Sequence, residues 1–136
     1  MADKSFRLEI VTPTKVIFDG EVVSFSAPGV MGGFQVLYNH APLLAEIGIG
    51  AVKILKPDSS ELRFATSGGF VNVLDNRVTL LAESAERAAE IDTERAQTAR
   101  DRARQKIGEK LNDIELHETQ QALQRALNRI RIAQKQ

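Results

Sequence analysis

Glu83-Ser84-Ala85-Glu86-Arg87-Ala88-Ala89-Glu90 divides the chain. Upstream of it the sequence is composed for sheet, and downstream for helix. All four prolines (Pro13, Pro28, Pro42, Pro57), all seven aromatics from Phe6 to Phe70, and eight of nine glycines lie before it, and the last valine is Val78. From Arg87 onward there is no Val, Phe, Tyr or Pro, but there are eight Ala and eight Arg. β-branched and aromatic side chains suit a pleated, half-buried surface, whereas Ala and Arg lose little freedom in a helix. Charge divides at the same place. Residues 1–86 carry seven basic and ten acidic groups, net −3, and residues 87–136 carry eleven and eight, net +3. Two parts are expected, 1–86 and 87–136.

Over all 136 residues the charges cancel, eighteen against eighteen, so the basic excess of a general nucleic-acid binder is missing. There is no cysteine, hence no disulfide framework, zinc finger or thiol nucleophile. No uncharged apolar run approaches the about 18 residues of a membrane span. The opening Met1-Ala2-Asp3-Lys4-Ser5 lacks the basic-then-apolar order of a secretory leader. The expectation is a soluble intracellular protein with no direct membrane insertion.

The front part reads as short strands. Phe6-Arg7-Leu8-Glu9-Ile10-Val11 alternates apolar and polar as a half-buried strand does. Val16-Ile17-Phe18, Asp19-Gly20 and Glu21-Val22-Val23 read as a hairpin turning on Asp-Gly. Further strands are expected over 22–27, 34–38, 43–47, 50–55, 61–66, 70–74 and 77–82, with turns at Pro57-Asp58-Ser59-Ser60 and Asp75-Asn76. Strands so spaced, with no helices between them, predict a small antiparallel sandwich or barrel.

The back part reads as a helical hairpin. Ala88, Ile91 or Asp92, Arg95, Ala96, Ala99, Ala103 and Ile107 recur at helical steps until Gly108 breaks them. Asn112 with Glu115 forms a capping box for a second helix striped by Leu116, Leu123, Leu127 and Ile130. Both stripes are thin, so the hairpin should dock weakly.

Catalytic chemistry is sparse. His40 and His117 share no metal-ligand spacing, and they read as a loop residue and a solvated helix position. Ser67-Gly68-Gly69 matches neither a nucleophile elbow nor a phosphate loop and reads as a turn or bulge. No enzyme, no metal site and no catalytic cofactor are expected. The informative residues are arginines. Asp92, Arg95, Ala99 and Arg102 share one helical face, and Arg125 and Arg129 stand one turn apart on the next helix. Folding at Gly108 brings these faces together, and the resulting repulsion is relieved if the helices separate or if a polyanion sits between them. Guanidinium forks suit phosphate oxygens, and the alanines leave room for a flat base. The competing reading is plainer: Asp92 caps the first helix, and Asp-x-x-Arg is a local ion pair.

Several strings carry a resemblance. Ser26-Ala27-Pro28-Gly29, Val36-Leu37-Tyr38-Asn39-His40-Ala41-Pro42-Leu43-Leu44, Ser67-Gly68-Gly69-Phe70-Val71 and Leu81-Ala82-Glu83-Ser84-Ala85-Glu86 resemble the epsilon subunit of bacterial F-type ATP synthase, over essentially the whole chain. The resemblance implies a ten-stranded antiparallel β-sandwich followed by a mobile α-helical hairpin. It implies a rotor-stalk subunit at the cytoplasmic face of the bacterial inner membrane, coupling ion flow to ATP synthesis. Its sandwich would dock on the gamma subunit and the c-subunit ring. Its helices, when extended, would reach the alpha/beta hexamer and restrain ATP hydrolysis. Some members bind a regulatory ATP in the folded hairpin through an Ile/Leu-Asp-x-x-Arg-Ala motif, matched here by Ile91, Asp92, Arg95 and Ala96. By that resemblance Ile91 and Asp92 contact adenine with Glu86 near its edge, while Arg95, Arg102, Arg125 and Arg129 hold phosphates or order the site. The alternative within the family is a purely structural subunit whose helices touch alpha, beta or gamma without sensing ATP. The chain departs from the usual pattern at Gly32-Gly33-Phe34-Gln35 and at Tyr38-Asn39, which bears on partner contacts of the front loops.

Overall fold

The computed structural model describes residues 4–134. Residues 1–3, which carry most of the leader reading, and 135–136 lie outside the described residues. The chain divides into two compact units between Arg87 and Ala88.

Among the described residues the first unit holds eight strands: β1 (Phe6–Val11), β2 (Val16–Val22), β3 (Ser24–Ala27), β4 (Phe34–Val36), β5 (Leu43–Leu55), β6 (Glu61–Leu74), β7 (Arg77–Ala82) and β8 (Ala85–Arg87). They form one hydrogen-bonded sheet in the order β2-β1-β7-β6-β5-β3-β4, with β8 pairing β6. The sheet becomes a sandwich because β5 and β6, 13 and 14 residues long, run through both layers. The halves Leu43–Ile47 and Gly69–Leu74 lie beside β7, β1 and β2; the halves beyond lie beside β3, β4 and β8.

The crossover is written in the burial phase. Along β6, Phe64 and Thr66 point inward, then Val71 and Val73; along β5, Ile47 points inward, then Val52 and Ile54. Even and odd positions exchange roles where Gly48 and Gly68-Gly69 stand. A strand alternates strictly with period two, so a change of phase requires a kink. Gly69 supplies it at φ +145°, and a Cβ there would lie 2.1 Å from the Leu81 carbonyl oxygen. Phe6, Leu8, Ile10, Phe25, Phe64 and Leu80 lie at the centre of a single core contributed by both layers.

Three expectations are corrected. The ten strands are eight, because the segments read as 43–47 with 50–55, and 61–66 with 70–74, are halves of continuous strands. The sandwich is not wholly antiparallel, since β1 pairs β7 in parallel, Leu8 opposite Val78 and Ile10 opposite Leu80. Asp19-Gly20 is not a turn but the middle of β2, where Gly20 opposes Leu8. The turn is Thr12-Pro13-Thr14-Lys15, closed by the Thr12 N–H donating to the Lys15 carbonyl at 2.9 Å. Proline presets the first bend of such a turn. Asp19 is held in the strand by Arg7, whose Nε donates to its Oδ1 at 2.7 Å. Asp75 and Asn76 turn as expected, both at positive φ. Asn76 also accepts from the Asn39 N–H and donates to the Ser5 carbonyl.

The second unit begins with a 3₁₀ turn, Ala88–Glu90, then α1 (Thr93–Ile107) and α2 (Asp113–Gln134). The first helix thus starts at Asp92, later than the Ala88 periodicity implied. The capping box stands: the Glu115 N–H donates to Asn112 Oδ1 at 2.8 Å, and Asn112 Nδ2 donates to the Glu115 carboxylate. Residues 108–112 join the helices, a link short enough to make them antiparallel neighbours, and they pack together. The seam reads Thr93, Ala96, Arg100, Ala103, Ile107 on α1 and Leu116, Thr119, Leu123, Ala126, Ile130, Ala133 on α2, all buried or half-buried at alternating steps of three and four. Ala99, expected in the stripe, is exposed, and Leu127 sits one position off the seam.

Candidate anion site on the helical hairpin

The seam determines which residues share a flank. In two antiparallel helices, residues preceding seam positions fall on the same side of the pair, the g-like ones at the seam edge and the c-like ones farther from it. On α1 those residues are Asp92, Arg95, Ala99, Arg102 and Lys106; on α2 they are Glu115, Glu118, Ala122, Arg125, Arg129 and the buried Ile132. Of these, Asp92, Ala99 and Lys106 on α1 and Glu115, Ala122 and Arg129 on α2 lie at the edge of the seam, and Arg95, Arg102, Glu118 and Arg125 lie farther out on the same side.

All four arginines singled out in the sequence therefore lie on one flank. Beside them, Ala99 and Ala122 form a low floor, Ala99 exposed and Ala122 half-buried. The side chains of Arg95, Arg102 and Arg125 are exposed, and Arg129 is half-buried. None of the ion pairs Arg7–Asp19, Arg63–Glu61 and Arg100–Asp101 engages Arg95, Arg102 or Arg125. This side of the hairpin therefore carries cations around a floor with no side chain beyond a methyl. Such a notch suits an extended anion with several charged oxygens, which guanidinium groups bind in pairs of parallel hydrogen bonds.

Asp92 is the N-cap of α1, at φ −79° and ψ 97°, and its Oδ1 accepts from the Arg95 N–H at 3.0 Å. One carboxylate oxygen thus closes the helix. Ile91 is 8% exposed just before it. Ala96 is fully buried on the seam, so it acts as a spacer that lets the helices approach. Glu86 belongs to the sandwich unit, on β8 opposite Ala65.

Sequence reasoning missed Ala122, Glu118, Glu115 and Lys106. Their signal is the same one-before-the-seam spacing, readable only once the seam is known. Of the histidines, His40 Nδ1 lies 2.7 Å from the Ala41 carbonyl oxygen, and His117 is exposed. Among the described residues no three His, Asp or Glu gather to hold a metal ion. No helix among them is long and apolar enough to cross a membrane.

Comparison with known proteins matches both parts. The beta-sandwich domain of the ATP synthase delta/epsilon chain corresponds to residues 5–88, and the long alpha-helix domain of the same chain to residues 89–134. The ATP synthase epsilon chain of Syntrophomonas wolfei is 39% identical over 135 residues, covering 99% of this chain and 98% of that one. The epsilon chain of Nitratidesulfovibrio vulgaris is 45% identical over 130 residues, covering 96% of each. A chain of the Euglena gracilis mitochondrial ATP synthase shares the fold at TM-score 0.79 and 21% identity, covering 89% of this chain and 76% of that one. A chain from the central stalk and c-ring structure of the Tetrahymena thermophila enzyme does so at 0.62 and 18%, covering 95% and 93%. Matched along both of its parts and at near-full length, the chain belongs to the ATP synthase delta/epsilon family, as an epsilon chain.

Proposed function

We propose that the chain is a non-catalytic rotor subunit of an F-type ATP synthase whose helical hairpin binds ATP when folded and restrains ATP hydrolysis when extended. The observation that carries the ATP reading is the flank of Arg95, Arg102, Arg125 and Arg129 around the floor of Ala99 and Ala122. Triphosphate oxygens satisfy the guanidinium groups, the free oxygen of Asp92 is available to an exocyclic amine, and the methyl floor admits a base. Bound ATP then favours the folded hairpin by mass action, and falling ATP releases it.

The sandwich serves the stalk role. Phe70, Leu81, Val11 and Val16 form an apolar row across four neighbouring strands on one outer face, the first two and the last 53%, 57% and 56% exposed. Exposed apolar rows of this kind mark protein interfaces, and the gamma subunit is the assigned partner. Met31, 97% exposed, and Tyr38 stand on front loops and are assigned to the c-subunit ring. The net +3 of residues 87–136 suits an acidic surface on the alpha/beta hexamer. On this reading the protein lies at the cytoplasmic face of the bacterial inner membrane and takes part in ion-coupled ATP synthesis.

One observation favours the structural alternative: the capping bond explains Asp92 without any ligand. Calorimetric titration of ATP into the full chain separates the two. Heat that saturates, and that is lost on Arg125→Ala, supports sensing; no heat at millimolar ATP leaves the purely structural subunit.

A further inference from the structure

We propose that Asn76 is a positioning residue for docking: its side chain fixes the loop 37–42, and with it the placement of Leu37 and Tyr38 against the c-subunit ring. The inference rests on the stalk reading above, which assigns Tyr38 to that ring, and adds to it a residue that acts through the loop.

The loop 37–42 joins β4 to β5 and carries two large exposed apolar side chains, Leu37 and Tyr38. Leu44 and Leu74, also exposed, stand diagonally on β5 and β6 at the same end of the sandwich, so the loop continues an apolar surface. Sheet pairing holds the two ends of the loop, Val36 opposite Phe25 and Leu43 opposite Val73. Its middle is held differently. Asn39 stands at φ 59°, in the left-handed region that few residues besides glycine and asparagine visit readily. His40 Nδ1 lies against the neighbouring Ala41 carbonyl, within the loop itself. Among the described residues, one hydrogen bond ties residues 38–40 to another part of the sandwich: the Asn39 N–H donates to Asn76 Oδ1 at 2.7 Å.

Asn76 is itself fixed from several sides. It is half-buried in the two-residue turn Asp75-Asn76 between β6 and β7, with φ of 50° and 60°. Its carbonyl accepts from the Arg7 N–H at 3.4 Å, and its Nδ2 donates to the Ser5 carbonyl at 3.0 Å. The hairpin turn and the start of β1 therefore set the plane of the amide, and its oxygen sets the loop. One planar group donates to one segment and accepts from another, which a carboxylate cannot do. A loop fixed before docking loses less freedom on binding, so its apolar side chains bind more tightly.

The test combines hydrogen exchange of the full chain with its binding to a rotor of gamma subunit and c-subunit ring stripped of its epsilon chain. The proteins are the parent, Asn76→Gly, Asn76→Asp, Tyr38→Ala and Tyr38→Ala/Asn76→Gly. Glycine keeps the positive φ of the turn and removes the clasp; aspartate keeps the acceptor for Asn39 and loses the donor to Ser5. Asn76→Gly should speed exchange of the Asn39 amide about two- to tenfold, the worth of one hydrogen bond, and weaken rotor binding by up to as much. Asn76→Asp should keep both near the parent. In the Tyr38→Ala background Asn76→Gly should weaken binding no further, a non-additivity that a general loss of stability would not give. Unchanged Asn39 exchange or unchanged binding in Asn76→Gly, or additive losses in the double variant, overturns the inference and leaves the stalk reading intact. Tyr38→Ala binding like the parent overturns the ring assignment, and the Asn39 exchange alone then keeps or removes the clasp.

Discussion

Gly69→Ala isolates the crossover that makes two layers out of one sheet. The added Cβ would stand 2.1 Å from the Leu81 carbonyl oxygen, 2.9 Å from the Ala82 Cα and 3.0 Å from the Leu81 carbonyl carbon. All three are backbone atoms of the neighbouring strand, so no flexible side chain can yield. Relief requires β7 to move away by about 1 Å, which loosens the pairing of Gly69 with Ala82 and of Phe70 with Leu81. The residue is also held at φ +145°, a conformation costing an L-residue about 1–3 kcal/mol. Overpacking adds about 1–3 kcal/mol. Together they predict a loss of about 4 kcal/mol, a large share of a small domain's stability. Gly33→Ala is the control. A Cβ there meets nothing nearer than the Ala27 carbonyl oxygen at 3.7 Å, and a change within about 0.5 kcal/mol is expected. Urea unfolding followed by NMR signals of the sandwich reads both, with equal m-values taken as the check on two-state behaviour. Gly69→Ala costing less than about 1 kcal/mol, or no more than Gly33→Ala, would refute the crossover reasoning.

Four further perturbations probe the hairpin and the strand pairing. Arg125→Ala should weaken ATP binding at least tenfold in calorimetry, the ordinary worth of a charge-assisted hydrogen bond, with the sandwich signals unmoved. Ala99→Leu fills the methyl floor at an exposed helical position, so ATP heat should vanish while far-UV circular dichroism holds or rises. Asp92→Ala removes the α1 cap and should cost that helix about 1 kcal/mol, read as faster exchange of the Arg95 amide. The hydrogen bond from Arg7 holds the Asp19 carboxyl below its ordinary value, so this pair stabilises the sandwich above about pH 4 and ceases to as pH falls through the lowered value. Asp19→Asn should therefore flatten that part of the acid-unfolding curve, and an identical curve would remove Asp19 from it.

The division at residues 83–90 was legible because composition, proline content and charge all change there at once. Most strand positions were legible too, since Phe6–Val11 and Arg77–Ala82 alternate cleanly. What was not legible depends on long-range pairing. Asp19-Gly20 has the chemistry of a tight turn, yet Pro13 makes a better one six residues earlier and Arg7 holds Asp19 across the strand. The gaps at Gly48 and at Gly68-Gly69 read as strand ends, because a one-residue change of phase looks the same in sequence whether a strand stops or bends. The parallel pairing of β1 with β7 joins segments about seventy residues apart and leaves no local mark. In the hairpin the four arginines stood out by type, whereas Glu118 and Ala122 emerged only when Ala126 rather than Leu127 proved to be on the seam.

On the proposed reading, that seam bears on how the arginine flank would act on the hairpin. Its fully buried positions on α1 are only Ala96 and Ala103; α2 meets them with Thr119, Ala126 and Ile130, and Ile107, Leu116 and Leu123 are only half-buried. Methyl-sized contacts bring two backbones close but remove little apolar area from water, so the closed state gains less than a leucine seam would give. A small gap between closed and open states is what allows a weak term to govern the balance. Under that reading the cluster of Arg95, Arg102 and Arg125 is such a term, unfavourable without an anion and favourable with one. On the proposed reading a ligand at a hundred times its dissociation constant adds about 2.7 kcal/mol to the closed state. That suffices to reverse an equilibrium poised within about 1–2 kcal/mol of balance, whereas a seam of leucines would hold the hairpin shut whether or not ATP was bound.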